Sequence, residues 1–120
     1  IFNYYMKISN SSIKKSINYL KNNECIGIPT ETVYGLAANA YSSSAVSKVF
    51  KLKKRPKKNP LIVHYYSKSQ LERDCHLNKN FYKLYKKFRT GPLTYDLLLK
   101  SNRNIDNNVT NKNLIQMFLV

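Results

Sequence analysis

The residues best suited to chemistry lie between Gly27 and His64. Six cations (Lys51, Lys53, Lys54, Arg55, Lys57 and Lys58) crowd eight consecutive positions around Pro56. Side chains this dense repel one another unless solvent or an anion screens them, and such a run is usually a solvated face or a nonspecific phosphate binder. Its setting narrows that reading. The cluster follows a helix-like segment, is turned by Pro56, and leads through Asn59-Pro60 into the apolar run Leu61-Ile62-Val63, closed by His64. Arginine clamps phosphate oxygens in a bidentate fork and lysine supplies a compact point charge. A triphosphate has enough negative charge to need several of them. Upstream, Pro29-Thr30-Glu31-Thr32 follows the short apolar run Cys25-Ile26-Gly27-Ile28. Pro29 has no N–H to donate, so a strand stops there and Thr32 falls on a strand-end loop, where ligand-binding groups are commonly displayed. Taken singly, each residue has a plainer reading. Thr32 is a local turn hydrogen bond, Asn59 a turn residue before Pro60, and His64 a hydrogen-bonded core residue.

Composition sets the outer bounds. A chain of 120 residues with 42% apolar content is most simply one domain, residues 1–120, able to bury a core. Lysine and arginine number 21 against six acidic residues, for a formal charge of +15. That balance points to a polyanionic partner, such as nucleic acid or nucleotide phosphate. A codon bias toward Lys, Asn, Ile and Tyr explains the bulk charge equally well. No apolar run reaches the roughly 20 residues of a membrane span, and IFNYYMKISN lacks the pattern of a secretory signal. Cys25 and Cys75 have no metal-type spacing, which suits a reduced, cytoplasmic setting. With glycine only at 27, 35 and 91, neither a Walker A loop nor a dinucleotide fingerprint is present, and there is no zinc motif.

The elements that must position these groups follow from periodicity and caps. Ile13, Ile17 and Leu20 predict a helix over about 12–21, capped within Asn10-Ser11-Ser12. Val33 to Ala37 resumes an apolar path. One of Ser42, Ser43 and Ser44 caps a second helix with Ala45, Val46, Val49 and Phe50 on one face. That helix ends before Pro56, because the residue preceding a proline resists helical geometry. Lys53 and Arg55 thus fall on its last turn or just after. Leu61–Tyr65 reads as a strand, Ser67 as the cap of a short helix, and 78–87 as a further helix. In that last helix, Leu77, Phe81, Leu84, Tyr85 and Phe88 recur at helical spacing, as a core stripe rather than a base-stacking surface. Gly91-Pro92 is a turn, 93–99 a strand, 102–108 a polar loop and 114–120 a last strand. Alternating short helices and strands give an α/β (α+β) domain.

Four blocks, in this order and spacing, resemble the YrdC/Sua5 family of threonylcarbamoyl-AMP synthases. They are Pro29-Thr30-Glu31-Thr32-Val33-Tyr34-Gly35-Leu36, Lys53-Lys54-Arg55-Pro56, Asn59-Pro60-Leu61-Ile62-Val63-His64 and Gly91-Pro92-Leu93-Thr94. The resemblance runs from about Ser12 to about Asn113. It implies a twisted mixed sheet with flanking helices and a concave cationic face. It further implies a nucleotidyltransferase reaction in which L-threonine, bicarbonate and ATP, with Mg2+ expected alongside, give threonylcarbamoyl-AMP and pyrophosphate for the t6A modification of tRNA. By position, Thr32 and His64 match the family's threonine-binding residues, and Lys53, Arg55 and Asn59 its ATP-binding ones. No residue is assigned covalent catalysis, since positioning and charge neutralisation dominate such transfers.

The family pattern continues into an Arg-x-Pro segment and a later Ser-x-Asn, for which these residues offer no counterpart. The resemblance therefore implies a YrdC-like domain lacking its C-terminal part, with weak or absent turnover. Asp96 stands where the family is usually apolar, and pointing inward it would cost several kcal/mol. Two other readings compete: a module that binds tRNA or double-stranded RNA without catalysis, and a nonfunctional gene fragment.

Overall fold

The computed structural model describes residues 9–30, 33–88, 93–110 and 113–119. Helix α1 (Asn10–Lys21) starts at Ser9, whose side chain accepts from the Ser12 N–H while Ser12 Oγ accepts from the Ser9 N–H. This reciprocal capping box satisfies two amide donors that a helix start otherwise leaves open. Strands β1 (Ile26–Ile28) and β2 (Gly35–Ala37) form an antiparallel hairpin in which Ile28 faces Gly35. Helix α2 (Ser43–Lys53) is capped by Ser42 and buries Ala45, Val46, Val49 and Phe50, the face expected from their spacing.

A four-stranded sheet follows, built from β3 (Ile62–Tyr65), β4 (Cys75–His76), β5 (Thr94–Leu99) and β6 (Leu114–Leu119) in the order β3-β6-β5-β4. Strand β6 is central, parallel to β3 and antiparallel to β5. Helices α3 (Lys68–Asp74) and α4 (Lys79–Phe88) connect these strands. Side chains alternate across a strand, so one sheet face collects Val63, Tyr65, Tyr95, Leu97, Leu99, Ile115 and Met117. Val46 and Phe50 of α2, Leu71 of α3 and Phe81 of α4 complete that core, together with Ile105 and Val109. Burying a large apolar side chain contributes about 1.5–3 kcal/mol, which makes this helix-covered face the main source of stability.

Among the described residues, the sheet's other face is largely exposed, and it corrects one expectation. Asp96 is exposed there, opposite Gln116, because Tyr95, Leu97 and Leu99 take the inward positions of β5. The inward-carboxylate penalty therefore does not arise. The α4 stripe is likewise only partly core: Phe81 is buried and Tyr85 half-buried, whereas Leu84 and Phe88 are exposed. Val33 and Tyr34, expected on an apolar path, are exposed in the β1–β2 connection. The polar 102–108 loop contains buried Ile105 and runs into a 3-10 turn at Asn107–Val109. The Gly91-Pro92 turn lies outside the described residues. Among the described residues, no helix is long and apolar enough to cross a membrane.

Candidate nucleotide and amino-acid site

The cationic loop is shaped first by how α2 ends. Lys54 adopts the left-handed conformation (φ 49°), its N–H bonding to Lys51 O and the next N–H, of Arg55, to Phe50 O at 3.0 Å. Those two bonds satisfy terminal helix carbonyls and turn the chain sharply. A second turn closes from Asn59 N–H to Pro56 O at 3.0 Å. Leu61 N–H then bonds Val109 O at 3.3 Å, tying the loop's exit to the core.

Within this frame the Arg55 side chain folds back over its own loop. Its Nε donates to Asn59 O at 3.2 Å and its Nη2 to Pro60 O at 2.7 Å. Arg55 and Asn59 are thus brought together, although through the Asn59 backbone. A guanidinium has five donors, so this brace leaves Nη1 available while fixing the plane of the group. Lys53, the last residue of α2, is exposed, as are Lys51, Lys54, Lys57 and Lys58. The only ion pairs among the described residues are Lys48–Glu24 and Lys68–Glu72, so the cluster's charges stay unneutralised by carboxylates there.

The loop feeds directly into β3, where Ile62 and His64 face outward and Val63 and Tyr65 inward. His64 is therefore exposed on the open face rather than held in the core. It pairs in register with Phe118, their ring centroids 5.5 Å apart, and Phe118 in turn pairs with Thr94. The next row holds Ile62, Gln116 and Asp96. Thr94, Asp96 and Gln116 thus share a face with His64, a grouping that was not anticipated. The period-two burial of Tyr95, Leu97 and Leu99 was the available signal for two of the three.

Thr32 lies outside the described residues. On either side of it, Thr30 Oγ1 donates to Val33 O and accepts from Val33 N–H at 3.1 Å. A Cβ on Gly35 would sit 3.4 Å from Thr30 Cγ2, so the hairpin backbone packs closely against that threonine.

A separate polar cluster joins the turn before α2, the end of β3 and the end of α3. Asp74, 5% exposed, accepts on Oδ2 from Tyr41 Oη at 2.7 Å and from Tyr65 Oη at 2.8 Å. Burial, and then donation to this carboxylate, push the Tyr41 hydroxyl up to about 12. The same two causes raise Tyr65 further. Burial and then the Asp74 charge raise the Cys75 thiol to about 12.

The family model named for Sua5, YciO and YrdC, described as "Telomere recombination", matches residues 18–115. A threonylcarbamoyl-AMP synthase of Pyrococcus abyssi is 39% identical over 95 residues, covering 78% of this chain and 28% of that protein. One from Bacillus subtilis is 46% identical over 67 residues, covering 56% of this chain and 19% of the relative. The chain thus spans less than a third of the length of these two relatives. Among solved structures, P. abyssi Sua5 complexed with L-threonine is 32% identical with a TM-score of 0.85, covering 94% of this chain and 33% of that one. A full-length HypF structure, 19% identical with a TM-score of 0.77, is similar in fold.

Proposed function

The chain belongs to the Sua5/YciO/YrdC family, and we propose that it supplies the nucleotide-holding part of a threonylcarbamoyl-AMP synthase site. The observation that carries this reading is the Arg55 brace. A guanidinium fixed on the Asn59 and Pro60 carbonyls, amid exposed lysines, is pre-oriented for phosphate oxygens. Lys53, Arg55 and Asn59 take the triphosphate of ATP. His64, on the open face beyond that loop, takes L-threonine together with Thr32. The threonine amine attacks carbon dioxide and gives up a proton, or attacks bicarbonate with loss of water, to form a carbamate. A carbamate oxygen then attacks the α-phosphorus, breaking its bond to the bridging oxygen and expelling pyrophosphate. The protein's task in both steps is alignment and charge neutralisation. The loop's donors are cationic and amide groups, unsuited to a metal, so Mg2+ enters on the phosphate oxygens of its ATP. The reaction serves t6A formation on tRNA in the cytoplasm.

Pyrophosphate release from Mg–ATP tests the proposal. The expected result is weak release that requires both threonine and bicarbonate and falls at least tenfold in Arg55→Ala. Release that is indifferent to threonine, or equal in the variant, overturns it.

The unneutralised Lys51–Lys58 cluster favours a second role, binding the phosphate backbone of tRNA or double-stranded RNA. That role predicts binding that weakens steeply with salt.

A further inference from the structure

A cleft of about 930 Å³, whose lining includes neither the Arg55 loop nor His64, is bounded by the turn before α2, the end of α3 and the segment after β5. Its walls are tied together. Lys100 N–H bonds Asp74 O at 2.8 Å, Lys100 Nζ donates to Glu72 O, and Asp106 N–H bonds Ala40 O at 2.9 Å. Arg103 stiffens the far wall through Lys100 O, Asn107 Oδ1 and Asn113 Oδ1. The volume is in the range of small-molecule sites.

The charge of this cleft is unlike that of the rest of the chain. Only six carboxylate side chains offset 21 cations overall, yet Glu72 and Asp74 both line the cleft beside Arg73 and Lys100. Asp74 is 5% exposed, and both phenol hydrogen bonds fall on Oδ2. Oδ1 takes no hydrogen bond among the described residues. Arg73 is exposed and forms no ion pair among them. A polyanion is repelled by the two carboxylates, and a simple cation by the two basic groups. A ligand bearing both signs satisfies all of them, and a charge pair is stronger beside a carboxylate withdrawn from water.

We propose that this cleft binds a small zwitterion of the α-amino-acid type, its ammonium on Asp74 Oδ1 and its carboxylate toward Arg73. Asn102 and Asn104 add amide donors and acceptors at the rim.

Backbone amide shifts of this chain, titrated with glycine, acetate and ethylamine, test it. Glycine should give saturable shifts confined to residues 69–74 and 100–104, with acetate and ethylamine each at least tenfold weaker. Arg73→Gln and Asp74→Asn should each weaken glycine at least tenfold, while Lys83→Ala, on the exposed side of α4, leaves it unchanged. If Asp74→Asn fails to fold, Arg73→Gln decides, since its side chain is exposed. Acetate binding as well as glycine, glycine shifts located elsewhere, or an unchanged affinity in Arg73→Gln would each overturn the proposal.

Discussion

Asp74 concentrates more of the buried polar chemistry than any other described residue, because one oxygen accepts from two phenols. Replacing Tyr65 by Phe leaves that buried carboxylate with one donor fewer. Urea unfolding should show a loss of about 1–3 kcal/mol; an unchanged midpoint would mean the bond contributes nothing net. The raised hydroxyl of Tyr41 and thiol of Cys75 set a pH dependence. Their ordinary values are 10.0 and 9.0, and in the fold both stand near 12. The ionised forms are disfavoured in the folded state, so the stabilisation is complete below pH 9 and drains as pH rises from 9 toward 12. Stability should therefore fall over that window, and fall less steeply in Tyr65→Phe, where one raised hydroxyl is missing. Parallel curves for the two proteins would contradict this. Cys75, 1% exposed, should resist alkylation at pH 8 until the chain unfolds, whereas half-buried Cys25 reacts first. At this scale the sequence is uneven as a guide. Arg55 and Asn59 are four positions apart, so their loop was legible. Nothing local announces that Tyr41, 33 positions from Asp74, donates to it.

Helix α2 shows which elements can be read in advance. Its serine cap, apolar face and stop before Pro56 are all local signals, and all agree with the structure. Ser42→Ala should cost about 1 kcal/mol, because the Ala45 N–H then loses its cap. At the other end, Lys54 holds a left-handed conformation that glycine adopts without strain. Lys54→Gly should raise the unfolding free energy by up to about 1 kcal/mol, and a lower midpoint would show that the lysine side chain matters more than its backbone. Helix α4 shows where periodicity runs out. Spacing places Phe81, Leu84, Tyr85 and Phe88 near one side, but not what lies opposite. Phe81 meets the Tyr95 ring at 5.1 Å, while Phe88 extends to solvent. The two-residue strand Cys75–His76 escaped notice because it is defined by its partners on β5 rather than by any pattern of its own. Asp96 faces outward for a related reason: alternation fixes two faces, and the inward set of Tyr95, Leu97 and Leu99 decides which is which.

Among the described residues, helices α2, α3 and α4 pack on one sheet face, and the other bears His64, Thr94, Asp96 and Gln116 near the exit of a cationic loop. With a formal charge of +15, association with RNA should lose affinity steeply with rising salt. Charge reversal at Lys57 and Lys58 should flatten that slope, and a slope unchanged by reversal would move RNA binding away from this loop. At the loop itself, the braced Arg55 is proposed to hold the phosphates of ATP. Equilibrium binding of Mg–ATP to the chain tests it most directly, with Arg55→Ala compared against Lys83→Ala on the exposed side of α4. Saturable binding is expected, at least tenfold weaker in Arg55→Ala and unchanged in Lys83→Ala; equal affinity in the Arg55→Ala variant and the unaltered chain would rule this role out.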